Sequence, residues 1–231
     1  MSWREFWDGD HSIYVNARHK TLHYERIGRD IAALLPSGGV ALDHGAGEAW
    51  SAPVMARTLE RLHLHDSAPT VRAKAERRFA EIANISVLDE AGVATLPRGE
   101  LDAVVANSVL QYVPKNECGA LLRLWADKLK PGGRLILGDV IPPDVGAAAD
   151  VMALLRFAAE GGFVGAAFIG LAKTFFSPYR KLRAQTPLVT YRVEDMLSLL
   201  DAHGFEGARA ARNIGHNQAR MTFVAQLRRP H

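Results

Sequence analysis

A short apolar run that ends in an acid and then turns on glycines constrains this chain more than any other stretch: Val40-Ala41-Leu42-Asp43-His44-Gly45-Ala46-Gly47-Glu48-Ala49. The run lacks the polar alternation of a strand with one wet face, so it reads as a buried parallel strand. Glycines just past a strand end permit a tight turn and let a ligand approach bare backbone. Residues 52–64 then carry apolar positions at helical spacing, which gives strand, glycine turn and helix in the order of a nucleotide-type site.

The turn discriminates between ligands. A dinucleotide fingerprint needs a third glycine at the position of Trp50, and a phosphate loop needs a Gly-Lys-Ser/Thr that does not follow. What fits is Asp-x-Gly-x-Gly-x-Gly/Ala, with Asp43 at the strand end, Gly45 and Gly47 in the turn and Ala49 in the third small position. This resembles the first motif of the class I S-adenosylmethionine-dependent methyltransferases. That cofactor has no phosphate; it carries an ammonium, a sulfonium and a ribose diol, which favour carboxylates and close backbone contact. The resemblance therefore implies cofactor contacts from Asp43, Gly45, Ala46 and Gly47. The competing reading is a glycine turn with no ligand.

Further along, residues 62–66 read as a second strand ending in Asp66, about twenty residues past the glycines, where a βαβ nucleotide unit places its ribose acid. One carboxylate can accept from two adjacent hydroxyls, and Ser67 stands beside it. A helix over 71–82 leads to a third strand, 85–88, followed by Asp89 and Glu90. In the resembled family an acid there faces the adenine amino group, a role that would fall to Asp89 before Glu90. A fourth strand ends at Asn107, and the family pattern puts post-strand residues such as Asn107 and Gln111 beside the methionine end. Asp102, at the far end of that strand, reads as structural. Pro114 suits the first turn of a helix whose buried face is Leu121, Leu124, Trp125 and Leu129, with Lys128 and Lys130 at its negative end. The string Leu129-Lys130-Pro131-Gly132-Gly133-Arg134-Leu135 then closely matches the family's turn before strand five.

These readings imply a single α/β domain with a doubly wound, Rossmann-like, seven-stranded methyltransferase sheet. Residues 1–38 form an N-terminal helical cover, 39–140 the cofactor-binding core, 141–190 a helical cap inserted after strand five, and 191–231 the last helix and a closing strand pair. The cap is read first as a substrate cover. Its alternatives are membrane contact through 151–181 and a homodimer face. His19 and His23 share a helix face, but no third ligand or His-Glu-x-x-His signature accompanies them, so no metal is expected. Tyr14, Arg18 and His19 are candidates for the cover over the cofactor.

Composition narrows the partners. The charge of +3 is mild and the hydrophobic fraction of 48% is that of a soluble globular domain. The densest basic cluster, Arg72, Lys74, Arg77 and Arg78, reads as a solvated helix face rather than a nucleic-acid stripe. A single cysteine, Cys118, read as core packing, and an N-terminus without signal-peptide character point to the cytoplasm. The expected activity is methyl transfer from S-adenosyl-L-methionine to a small or amphipathic metabolite by in-line attack on the sulfonium methyl. An oxygen nucleophile would need a base, for which His216, in the polar turn 213–218, His19 and Tyr14 are the candidates. The alternative is a methyltransferase-like domain that binds the cofactor or a protein partner without catalysis. Trp50 disfavours a nicotinamide-dependent reductase.

Overall fold

The computed structural model describes Glu5, Asp8 and residues 14–175 and 186–229. Seven strands form one sheet in the order β3-β2-β1-β4-β5-β7-β6. They are β1 (Val40–His44), β2 (Arg61–His65), β3 (Ile85–Leu88), β4 (Leu101–Asn107), β5 (Leu129–Val140), β6 (Phe205–Arg209) and β7 (Met221–Leu227). Strands β1 to β5 pair in parallel, and β7 is antiparallel to both β5 and β6. This matches the expected sheet. The order reverses between β1 and β4, where an open α/β sheet splays its loops and leaves a ligand crevice.

Alternation along β4 shows why the central strands are apolar throughout. Ala103 and Val105 pack into one core with Ile31, Met55 and Phe79; Val104 and Ala106 pack into the opposite core with Trp125, Leu200 and Phe223. Side chains alternate faces along a strand, so a sheet covered on both sides has no wet position to fill. One layer is α1 (Ala17–Ala32), α2 (Ala52–Ala56) and α3 (Pro69–Phe79). The other holds α4 (Glu90–Thr95), α5 (Lys115–Lys128) and α8 (Val193–Ala202). Fully burying Trp125 alone contributes up to about 3 kcal/mol.

Several boundaries differ from the sequence reading. The helix after the glycine turn stops at Ala56 instead of reaching residue 64, because the chain must already enter β2 at Arg61. Asn84 caps that early stop, donating to the carbonyls of Ala56 at 2.9 Å and Leu59 at 3.2 Å. The Pro-Gly-Gly turn is absorbed into β5: Leu129 already pairs with Leu101, and the register shifts before Ala103 meets Arg134. Gly132, at φ 81°, supplies the left-handed residue of that bulge. Strand β6 starts at Phe205, immediately after the left-handed Gly204.

The segment after β5 is helical, as expected, but it is two helices. Helix α6 (Ala147–Gly161) ends at Gly162, left-handed at φ 70°, and α7 (Val164–Phe175) follows. Phe157 and Phe163 pack between them and against Val15 and Leu22 of the N-terminal cover. The aromatic and basic close of the cap, residues 176–181, lies outside the described residues.

Two basic positions found other work. Lys128 is buried and donates to the carbonyls of Ala94 at 2.9 Å and Leu96 at 2.8 Å. It thus neutralises the end of α4 and not that of its own helix. Lys130 pairs with Asp102, whose carboxylate also accepts the Val40 N–H at 2.8 Å, so Asp102 is the structural residue expected of it.

Candidate active site

A cavity of about 570 Å³ opens at the C-terminal ends of β1, β2, β4 and β5. Its floor is the glycine turn. The N–H groups of Gly45 and Ala46 donate to the His65 carbonyl at 2.7 and 2.8 Å, which ties the turn to β2. Gly45 lies at φ 80°, and a Cβ there would meet Val109 Cγ2 at 2.4 Å. Gly47 lies at φ 58° with nothing within 4 Å of a built Cβ, so its backbone faces open space.

Asp66 reaches the turn from β2. Its Oδ2 accepts from the Gly47 N–H and its Oδ1 from the Ala68 N–H, both at 2.9 Å. Asp43 stands beside it at 5% exposure. Burial, then the negative charge of Asp66, push the Asp43 carboxyl up to about 7. Among the described residues no hydrogen bond or ion pair meets the Asp43 carboxylate. Asn107 and Gln111 line the same space, and the buried Oδ1 of Asn107 has no hydrogen-bond partner.

The turn is braced from outside. Glu48 forms ion pairs with Lys20 of α1 and, at 4.0 Å, with Arg78 of α3, and accepts from Trp50 Nε1 at 2.7 Å. The Trp50 ring lies under Lys20 at 5.0 Å and under Arg78 at 3.8 Å. Arg72 donates to the Asp66 carbonyl at 2.6 Å. Arg72 and Arg78 are therefore committed to the turn, which corrects the reading of their cluster as a solvated face. Ala49 adopts φ 53°, the left-handed conformation that a third glycine would take without strain.

On the far wall the structure shows a network that the sequence reading missed. Ser108 and Asp139 end adjacent strands, both at left-handed φ (59° and 58°), and the Ser108 hydroxyl donates to Asp139 Oδ2 at 2.9 Å. Strain of this kind collects at functional sites. Buried Arg220 donates to Gln111 Oε1 at 3.1 Å and to Asp150 Oδ1 at 2.8 Å, and lies 3.9 Å from Asp139. Burial holds the Asp139 carboxyl above its ordinary range, opposed mainly by Arg220.

The roof is Tyr14, His23 and Tyr24. Of the three bases named from the sequence, Tyr14 faces the cavity, while His19 and His216 do not line it. Instead His216 stacks on Phe157 (ring centroids 4.5 Å apart) and His19 on Phe163 (5.1 Å), in an aromatic layer behind the roof. His23, which the sequence offered only as the fourth residue after His19, lines the cavity in their stead. Burial lowers His23 to about 3 and His216 to about 4, and raises Tyr14. Asp89 and Glu90 also lie outside the cavity. Asp89 caps α4, accepting the Gly92 N–H at 2.7 Å, and Glu90 pairs with Arg72 at 3.5 Å. Among the described residues no group of three or more His, Cys, Asp or Glu is arranged to hold a metal.

Comparison with known proteins agrees with this geometry. Residues 41–133 match the family model described as a methyltransferase domain. Magnesium protoporphyrin IX methyltransferase from Synechocystis PCC 6803, solved with S-adenosylhomocysteine, has 18% identity and a TM-score of 0.59, over 98% of this chain and 92% of that one. An amino pentose methyltransferase from Micromonospora echinaspora, solved with S-adenosylmethionine, has 16% identity and a TM-score of 0.57, over 92% of each chain. Phosphoethanolamine N-methyltransferase 1 of Haemonchus contortus reaches a TM-score of 0.65 at 16% identity, and this chain spans 48% of its length. No curated protein sequence matches. The match over residues 41–133 and the shared fold are what this chain has in common with S-adenosylmethionine-dependent methyltransferases.

Proposed function

We propose that the crevice binds S-adenosylmethionine and passes its methyl group to a small or amphipathic metabolite. One observation carries the reading: two carboxylates, Asp43 and Asp66, face one cavity, and burial without a described cation holds Asp43 well above its ordinary range. A cationic ligand relieves that cost. The donor set suits this cofactor, with Asp66 for the ribose diol, the bare Gly47 backbone for close approach, and the orphaned Asn107 Oδ1 as an acceptor for an ammonium. When bound, the cofactor supplies an electrophilic methyl on a sulfonium.

The chain's own residues align the acceptor and exclude water. Tyr14, His23 and Tyr24 close the roof and are neutral at pH 7: burial lowers His23 to about 3 and moves the two phenols further above their ordinary value of 10. A histidine held near 3 is a feeble base, and Tyr14 is a hydrogen-bond donor at neutral pH. This favours an acceptor nucleophile that needs orientation more than strong deprotonation. Asp139 and Gln111 are the polar groups on the acceptor side. The cover, core, cap and closing strands act in this reading as one catalytic unit.

Calorimetry with S-adenosylmethionine tests the cofactor step. Asp66→Ala is expected to weaken binding by about 1–3 kcal/mol, and unchanged affinity removes Asp66 from the site. Release of S-adenosylhomocysteine across a panel of acceptors tests the transfer. Binding with no turnover on any acceptor favours a domain that binds without catalysis.

A further inference from the structure

Asp139 is a further carboxylate in the cavity, and it stands apart from Asp43 and Asp66 at the glycine turn. It lies near the end of β5, and two strands, β1 and β4, separate β5 from β2, which Asp66 follows. Three strand spacings set those two strand ends roughly 14 Å apart. The partners of Asp139 hold it in place and leave it able to accept more. Its N–H donates to Oδ1 of the buried Asn213 at 3.2 Å, which braces the left-handed φ of 58°. Its Oδ2 accepts from the Ser108 hydroxyl at 2.9 Å, whereas its Oδ1 meets only Asn213 Nδ2, at 3.5 Å, among the described residues. A carboxylate has about four acceptor positions, so Oδ1 retains capacity for an N–H from the cavity. Arg220 donates to Asp150 and Gln111 and stands 3.9 Å from Asp139, so it offsets that charge only in part.

The roof supplies an independent feature. Tyr14, His23 and Tyr24 line the cavity with ring centroids 5.5 Å (Tyr14–His23), 5.6 Å (Tyr14–Tyr24) and 5.5 Å (His23–Tyr24) apart. Clustered neutral rings and a carboxylate on one cavity accept a cation with carbon substituents. An anion is served poorly: Arg220 is buried and engaged, and the other Lys or Arg on the described lining, Lys74, lies on α3, the helix after Asp66. A hydroxyl or carbon acid is served poorly too, because it must shed a proton that His23, lowered chiefly by burial, scarcely binds. An ammonium releases its proton far more readily than an alcohol, and burial makes the Asp139 carboxylate a better acceptor for it.

We propose that the acceptor is an amine, held as its ammonium by Asp139 beneath the rings of Tyr14, His23 and Tyr24, and that the reaction is N-methylation. This rests on the proposed transfer from S-adenosylmethionine and narrows its acceptor. The ammonium passes one proton to the Asp139 carboxylate. The lone pair so exposed forms the nitrogen–carbon bond to the methyl as the carbon–sulfur bond breaks, and the electron pair of that bond leaves with sulfur as a neutral thioether. The positive charge thus moves to the methylated nitrogen, and the proton on Asp139 goes to solvent, which restores the carboxylate.

The full chain with S-adenosylmethionine is assayed on ethanolamine, hexylamine and phenethylamine beside the matched alcohols and carboxylic acids, reading S-adenosylhomocysteine release and product mass. Only amines should be methylated. The best of them should bind the protein loaded with S-adenosylhomocysteine in calorimetry. Asp139→Asn, which keeps the shape and removes the charge, should weaken that binding at least about tenfold. A cooperative melt and unchanged cofactor affinity show that the fold and cofactor site of the variant are intact. Tyr24→Phe keeps the ring and should hold the amine affinity within about threefold, while Tyr24→Leu should lose more. The inference is overturned by methylation of an alcohol or acid and of no amine, by cofactor binding with no amine turned over, or by amine affinity indifferent to Asp139→Asn. Failure to bind S-adenosylmethionine in calorimetry removes the underlying transfer reading, and this inference with it.

Discussion

Lowering the pH from about 7 to about 5 sets the buried histidines against the buried carboxyls. Burial first of all holds His23 and His44 at about 3 and His216 at about 4, against 6.5 for a free histidine. Neighbouring histidines add to each depression. The folded pKa is the lower one, so the stability these groups contribute is complete above 6.5 and is lost as pH falls. Below that value the unfolded chain takes up three protons that the fold refuses. Each costs about 1.4 kcal/mol per pH unit, or about 4 kcal/mol per unit together. Asp43 acts in the opposite sense: its folded value of about 7 lies above the ordinary 3.8, so the fold binds a proton between them. That offsets about 1.4 kcal/mol per unit. The net loss, about 2–3 kcal/mol per pH unit, is large against a total stability of roughly 5–15 kcal/mol. Urea unfolding followed by circular dichroism across this pH range measures it. His44→Phe, which keeps the ring contact with Trp125, should flatten the slope by about one group's share. A stability that stays level or rises from pH 7 to 5 refutes the argument.

Arg220→Met should destabilise the fold by about 3–5 kcal/mol, because it strands Asp139 and Asp150 beside each other without their cation. The loss should be smaller at acid pH, where Asp139, already raised, takes a proton; a pH-independent loss sinks the assignment. Lys128→Met should cost about 1–3 kcal/mol by leaving the Ala94 and Leu96 carbonyls without their donor. A thermal melt within about 1 °C of wild type would count against it.

The sheet and the glycine turn were legible because their signals are local. An apolar run, an acid and two glycines within ten residues define the turn chemistry wherever the rest of the chain goes. Asp89 has a structural role that the local signal did not show, for the same reason: an acid after a strand is also a good N-cap, and α4 begins there. Competition between those two roles is invisible without the helix's position. The network at Arg220 was out of reach because Gln111 lies 109 and Asp150 70 residues away in sequence. His216 was assigned to the correct end of the sheet, since β6 runs parallel to β1 and its following turn emerges beside the crevice. Which way the imidazole points was decided by Phe157, a cap residue whose position no periodicity reveals.

The ion pair between Lys20 and Glu48 fastens the first helix to the glycine turn that floors the cavity. A ligand that shifts Glu48 would therefore move the helix that carries His23 and Tyr24, two of the three residues of the cavity roof. In the proposed reaction such a link favours a compulsory sequence of arrival, cofactor first and acceptor second. Product-inhibition patterns, with S-adenosylhomocysteine competing against the cofactor alone, would display that order, and Lys20→Met should relax it toward random addition.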